Sequence, residues 1–232
     1  LSRLIEGIIE AFRLIISFDP TLIDIVLLSL RVSITAIIVS TVIGIPLGAL
    51  LGLKNEKSTR MVNKIIFTLM GMPPVVAGLI IYLILSRQGP LGVLGILYTP
   101  SAMIIAQVLL ASPIVTGLTM VGIRAKGSEV EETARSLGAS SPLATWTVIK
   151  EARYALLGAV ISGFSRVVAE VGAVMIVGGN IEGRTRVMTT AITLETRKGN
   201  FELAIGLGII LLLISFLVNS ILYNIQKGGK KD

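Results

Sequence analysis

The sequence predicts an all-α integral membrane protein, and three observations carry that prediction. The 232 residues are 53% hydrophobic, with a mean hydropathy of +0.87, which soluble domains of this size rarely sustain. Apolar segments recur along the chain at about the 20 residues that a bilayer crossing takes. Basic residues gather in alternate connections, as they do in multi-pass topologies.

The first segment, Leu1 to Phe18, is amphipathic. Its apolar residues Leu4, Ile5, Ile8, Ile9, Phe12, Leu14, Ile15 and Ile16 alternate at helical spacing with Arg3, Glu6, Glu10 and Arg13. That pattern suggests a helix lying along the interface, with a short first span as the alternative. The chain begins at Leu1 rather than Met, which suggests a processed or edited start, and Leu1 to Phe18 shows no signal-peptide pattern. Asp19-Pro20 breaks this helix.

About five transmembrane helices follow. Leu22–Leu53 is the first, with Gly44, Pro46, Gly48 and Gly52 in its second half. Ile65–Leu85 is the second, and Met72-Pro73-Pro74 must kink or unwind it, because two prolines remove two backbone donors. Ser86–Thr99 reads as a loop, Pro100–Ile123 as the third span, Tyr154–Val177 as the fourth, Gly178–Asn200 as a polar loop and Phe201–Ile225 as the fifth. One side of the membrane then holds Lys54, Lys57, Arg60, Lys64, Arg124, Lys126, Arg135, Lys150, Arg153, Lys227, Lys230 and Lys231. The other holds Arg3, Arg13, Arg87, Arg184, Arg186, Arg197 and Lys198. The richer side belongs in the cytoplasm, with the C-terminus, and the N-terminus outside.

Composition removes several classes of chemistry. There is no Cys and no His, so disulfides, thiolate catalysis and the commonest metal ligand and general base are absent. No Gly-x4-Gly-Lys-[Ser/Thr] occurs, so the chain has no phosphate-binding loop and no enzyme site is expected. The net charge of +7 is explained by the loops, since no basic surface is interleaved with aromatics for nucleic acid.

The most polar stretch is Ser128–Arg153. Ser128 reads as an N-cap followed by Glu129, Glu131 and Glu132 in a first turn. Gly138 suits the left-handed end of that helix, and Ser141 and Pro142 suit the start of a second. Two short helices with a Gly-Ala-Ser-Ser elbow are therefore expected between spans.

This stretch resembles the EAA loop of membrane subunits of ATP-binding cassette importers. Glu132, Thr133 and Ala134 stand where that family has Glu-Ala-Ala, and Gly138 falls on its required glycine. Val148 stands for its Ile, whereas Lys150-Glu151 replaces its Leu-Pro. The resemblance runs from about Leu22 to Ile225 and leans toward the molybdate, tungstate and sulfate group. Thr68–Gly78 resembles that group's proline-rich segment, and Ser165–Val174 its Arg-x-x-x-Glu-Phe-Gly-Ala segment, with Val171 for Phe. Gly178-Gly179-Asn180-Ile181 leans toward the tungstate-type branch.

The resemblance implies a type I importer permease fold: a segment 1–20, a transmembrane permease domain 21–227 containing the coupling loop 128–153, and a basic tail 228–232. It implies a second copy of the chain, two cytoplasmic ATPase subunits that bind ATP and Mg, an extracytoplasmic oxyanion-binding protein, and surrounding lipid. It assigns ATPase coupling to Glu131, Glu132, Thr133, Ala134, Gly138, Ala139, Ser140 and Pro142. It implies import of an oxyanion (tungstate, or molybdate or sulfate) across a prokaryotic inner membrane. Another small solute, or an ion-coupled carrier with Glu170 as its titrating carboxylate, is the alternative.

Candidate pathway or gate residues are Met72, Pro73, Pro74 and Val75, as an apolar constriction, and the intramembrane charges Arg31, Arg166 and Glu170. A charge at mid-bilayer costs about 2.5–3.5 kcal/mol on the insertion scale. Arg166 and Glu170 are spaced to pair one turn apart, and Arg31 either reaches the interface by snorkelling or faces an anion or Glu170.

Overall fold

The computed structural model describes residues 2–228; the side chains of 2–7, 10, 222 and 225–228 are outside the description. Arg3, Leu4, Ile5, Glu6 and Glu10, which the amphipathic reading used, and Lys227 with Lys230 and Lys231 of the basic tail, therefore lie outside the described side chains. The described residues form helices and connections with no strand. The helices are α1 (Ser2–Ile16), α2 (Pro20–Leu53), α3 (Glu56–Met70), α4 (Pro74–Leu85), α5 (Pro100–Ser136), α6 (Ser141–Glu151), α7 (Arg153–Val168), α8 (Gly172–Gly178), α9 (Met188–Lys198) and α10 (Phe201–Gly228), with a 3-10 turn at Gly92–Leu94. Three helices, α2, α5 and α10, are long and apolar enough to cross a membrane alone, and the count reaches five if the bent pairs α3/α4 and α7/α8 each make one span.

The chain divides into two compact units, each discontinuous in sequence. One comprises 1–36, 73–107 and 167–217, and the other 37–72, 108–166 and 218–232. In the first unit, α1 buries Ala11 and rests Leu14 and Ile15 on a core of Leu22, Ile25, Met188, Ala191 and Leu207. Ile9, Phe12 and Ile16 are exposed as well, an apolar outer surface suited to lipid. Asp19 Oδ1 accepts the Leu22 N–H at 3.0 Å and so starts α2.

The second unit is built on glycines. A Cβ at Gly44 would meet Val115 at 2.9 Å, and at Gly52 it would meet Ile123 at 2.9 Å. The glycines that interrupt the first span are thus where α2 lies directly against α5. Pro46 is accommodated without ending the helix. Arg124 closes the same unit: its Nη2 donates to the Leu51 carbonyl at 3.1 Å and to Thr59 Oγ1 at 2.9 Å. With the Asn63 amide oriented for bonding, Asn63 Oδ1 accepts from Arg124 Nη1 at 3.1 Å. A residue that the sequence marks only as a loop charge thus ties the end of α2 to α3 and α5.

Three expectations are corrected. The third span does not stop at Ile123: α5 is continuous for 37 residues. Ser128 is therefore interior and caps nothing. The residues after it are good helix formers, and Glu131 and Arg135 pair at i, i+4 with a 2.7 Å contact, so nothing forces a restart. The expected loop Gly178–Asn200 contains α9, whose polar look arises because it buries Thr189, Thr190 and Glu195 beside Met188 and Ala191. The fourth span is not one helix, since 169–171 separate α7 from α8.

Candidate functional site

The candidate coupling residues lie in the second unit and most of the candidate pathway residues in the first. In the second unit α5 ends in an elbow. Gly138 adopts φ +86°, its N–H donates to the Arg135 carbonyl at 2.9 Å, and the Ala139 N–H donates to the Ala134 carbonyl at 3.0 Å. That pair of bonds is a Schellman termination, with glycine where a left-handed residue is needed. Ser140 is the N-cap of α6 and makes no side-chain cap bond; the sequence places this cap one residue later, at Ser141. Ser141 has another partner: its Oγ accepts from Arg135 Nη2 at 3.1 Å, while Arg135 also holds Glu131. One guanidinium thus joins the last turn of α5 to the first turn of α6. Pro142 lies in that first turn, where no intrahelical N–H is needed.

The elbow is apolar on the outside and anchored on the inside. Leu137, Leu143 and Trp146 are 84%, 54% and 63% exposed. A concavity of about 570 Å³ runs between Lys126, Glu129, Thr133, Ala134, Gly138, Ala139 and Leu143. Beneath it, Val148 and Ala152 pack on Ala49 and Ile123, with Val130 and Leu53 beside them. A force on the exposed side of α6 therefore reaches α2 and α5 through close packing. Glu131 is half-buried, whereas Glu132 and Thr133 are exposed.

In the first unit the parts of the proline-rich and Arg-x-x-x-Glu stretches that belong to it, 73–78 and 167–174, meet. Their helical parts, α4 and α8, touch at backbone distance: a Cβ at Gly78 would lie 2.8 Å from Ala173 Cα, and one at Gly172 would lie 2.9 Å from Val75 Cγ2. Met72 is half-buried. Pro73 is the N-cap of α4, with φ −61° and ψ 131°, and Pro74 lies in its first turn. The Pro73 carbonyl accepts from the Val76 and Ala77 N–H groups at 3.0 and 3.2 Å. The double proline therefore unwinds the span and begins a new helix.

The break before α8 is held by side chains from elsewhere in the same unit. The Val167 carbonyl accepts the Glu170 N–H at 3.2 Å and Gln107 Nε2 at 3.2 Å. Thr189 Oγ1 donates to the Glu170 carbonyl at 2.7 Å. Glu170, 3% exposed, accepts the Ala173 N–H on Oε1 at 3.0 Å. Its carboxylate thus holds the first turn of α8. Because α7 ends at Val168, Arg166 and Glu170 do not sit one turn apart on a continuous helix, as their spacing suggests. Gln107 and Thr189 were not singled out by the sequence as supports for this break; the only signal was a Gln inside an apolar span. Arg166 is half-buried and Arg31 exposed. No group of three metal-ligating side chains occurs among the described residues.

Known proteins match this arrangement. Residues 44–230 match the family described as binding-protein-dependent transport system inner membrane component. The chain is 44% identical to the tungstate uptake system permease protein of Peptoclostridium acidaminophilum, over 96% of this chain and 97% of that protein. It is 39% identical to a probable anion ABC transporter permease protein of Haloferax volcanii, over 86% and 88% of the two. A crystal structure of an amino acid ABC transporter with histidines shares the fold, with a TM-score of 0.69 at 20% identity over 92% of this chain and 96% of that one. The all-helical permease class expected from the sequence is borne out. Family membership places the chain among multi-pass inner-membrane subunits that work with a separate ATPase and a binding protein. The chain belongs to the inner-membrane components of binding-protein-dependent transport systems, the permease subunits of ATP-binding cassette importers.

Proposed function

We propose that this chain carries tungstate into the cytoplasm, as the translocation subunit of an importer containing two copies of it and two ATPase subunits. The observation that carries the choice of solute is the near full-length 44% identity to a tungstate uptake permease. The N-terminus is outside; the elbow and the C-terminus are cytoplasmic, in keeping with the distribution of basic residues. ATP and Mg bind on the partner subunits. Docking uses Glu131, Glu132, Thr133, Ala134, Gly138, Ala139, Ser140 and Pro142 around the concavity, with Leu137, Leu143 and Trp146 as apolar contacts. Closure of the ATPase pair moves α6, and α6 moves the α2 and α5 ends packed on it. Met72, Pro73, Pro74 and Val75 form the apolar constriction, and lipid surrounds the spans. Arg166 remains a pathway candidate, while Glu170 supports the gate by fixing α8 against α4.

The test is uptake into proteoliposomes by the full complex with its binding protein, comparing tungstate, molybdate and sulfate. Tungstate uptake that requires ATP and is outcompeted least by sulfate is the expected result. Uptake of none of the three, or uptake without ATP but with a proton gradient, refutes this function.

A further inference from the structure

Three arginines meet where no ion pair consumes them all. Arg31 on α2, and Arg184 and Arg186 on the loop before α9, line a concavity of about 390 Å³ with Asp24, Leu28 and Pro100. Asp24, Leu28 and Arg31 share one face of α2, because four- and seven-residue spacings return to the same side of a helix. The loop holds its arginines in place. Thr185 between them is fully buried, accepts the Ile181 N–H on Oγ1 at 2.9 Å and donates to the Gly178 carbonyl at 2.6 Å. The Arg186 N–H also donates to the Ile181 carbonyl at 3.0 Å.

Arg186 is the informative member. Its side chain is only 11% exposed and its Nη1 lies 3.3 Å from Glu182 Oε2, yet its buried Nε has no partner. A buried guanidinium edge without an acceptor is costly. Arg31 and Arg184 are exposed, and guanidinium groups stay charged at all working pH values. Arg186 also lines a neighbouring concavity with Asp19, Glu182, Glu195 and Glu202, so the positive charge that remains comes from Arg31 and Arg184 against Asp24 on the wall.

We propose that Arg31, Arg184 and Arg186 form a receiving site for a small divalent oxyanion on the extracytoplasmic face, occupied after the binding protein releases the ion. The proposal rests on the chain being an oxyanion importer subunit. The oxyanion's acceptor-only oxygens complement guanidinium donors, which bind such groups bidentately. The space holds roughly thirteen waters at about 30 Å³ each, so the ion stays partly hydrated. The site therefore binds weakly and acts through local concentration, a rate effect that salt suppresses.

The test uses the full complex with ATPase and binding protein in phosphatidylcholine vesicles, following initial tungstate uptake at low and high salt. The R31Q/R184Q/R186Q variant should be slowed about tenfold at low salt, the lower end of electrostatic steering, and should lose the native salt dependence. The corresponding triple lysine variant should recover most of the rate. Since Arg186 is nearly buried, R31Q/R184Q serves as a second variant altering exposed residues alone, with an expected loss of about threefold, part of the same effect. Assembly with the ATPase is the folding control. Native uptake rates in both glutamine variants would overturn the proposal. So would a defect explained by weaker docking of the binding protein, or one seen only in vesicles containing anionic phosphatidylglycerol, which would mark a lipid headgroup site. Failure of the native complex to transport tungstate, molybdate or sulfate would instead remove the importer function itself, and this site with it.

Discussion

The elbow at Gly138 and the break at Glu170 both interrupt a helix, but they are held in different ways. The elbow is local: a glycine at φ +86°, two backbone bonds and a proline in the next first turn suffice. It is exposed and presents Leu137, Leu143 and Trp146 outward. The Glu170 break is buried and depends on distant residues, since Gln107 lies 60 positions from Val167 and Thr189 lies 19 from Glu170. The surface proposed for the ATPase to grip is specified by its own few residues. An irregular backbone inside the membrane exists only where other elements satisfy it.

This contrast can be broken from either side. The largest effect on stability belongs to the buried region. Gly78→Leu would press a side chain onto the Ala173 backbone at 2.8 Å, and overpacking of this kind costs about 3 kcal/mol. Thermal unfolding in detergent should show a large drop, and a native-like melting temperature would mean that α4 and α8 do not pack this closely. Glu170→Ala should cost about 2 kcal/mol by leaving the buried Ala173 N–H without its acceptor. Glu170→Gln keeps an acceptor oxygen and should retain both stability and transport. If the Gln variant loses transport while folding normally, Glu170 acts through its charge, and ion coupling returns as a mechanism.

Thr189→Val removes the hydroxyl that holds the Glu170 carbonyl and should cost about 1 kcal/mol. The same melting experiment checks it, with no change as the contrary result. At the elbow the effect should be smaller still. The Arg135–Glu131 pair is 53% and 36% exposed, and such pairs contribute about 0.5 kcal/mol or less after screening. Arg135→Ala should therefore leave the melting temperature nearly unchanged while loosening the α5–α6 junction. A loss as large as that of Glu170→Ala would show that the elbow is not specified locally.

The same contrast explains what the sequence reveals. Gly138 and Pro142 are legible because their backbone roles admit few other residues. Pro73-Pro74 is legible for the same reason: it announces a break and the break is there. The 169–171 break is not, because Val167-Val168-Ala169-Glu170-Val171 contains no residue that refuses a helix, and the cause lies in Gln107 and Thr189. Ser128 misleads in the opposite sense, since a capping residue also fits an exposed helix interior, and α5 runs through it. Helix α9 reads as a loop because its buried face, besides Met188 and Ala191, carries threonines that bond to backbone, a pattern that hydropathy does not register. Arg124 reads as a cytoplasmic charge because its partners, Leu51, Thr59 and Asn63, are distant in sequence.

The central claim is that the Gly138 elbow is where the ATPase takes hold. The most direct measurement is co-purification of the ATPase with tagged native chain, Gly138→Asn and Gly138→Pro. Asparagine tolerates the left-handed conformation and keeps the N–H that donates to Arg135, whereas proline fixes φ near −65° and removes that donor. The native chain and Gly138→Asn should retain the ATPase, and Gly138→Pro should lose it while the membrane chain stays folded. Full retention of the ATPase by folded Gly138→Pro would contradict the account.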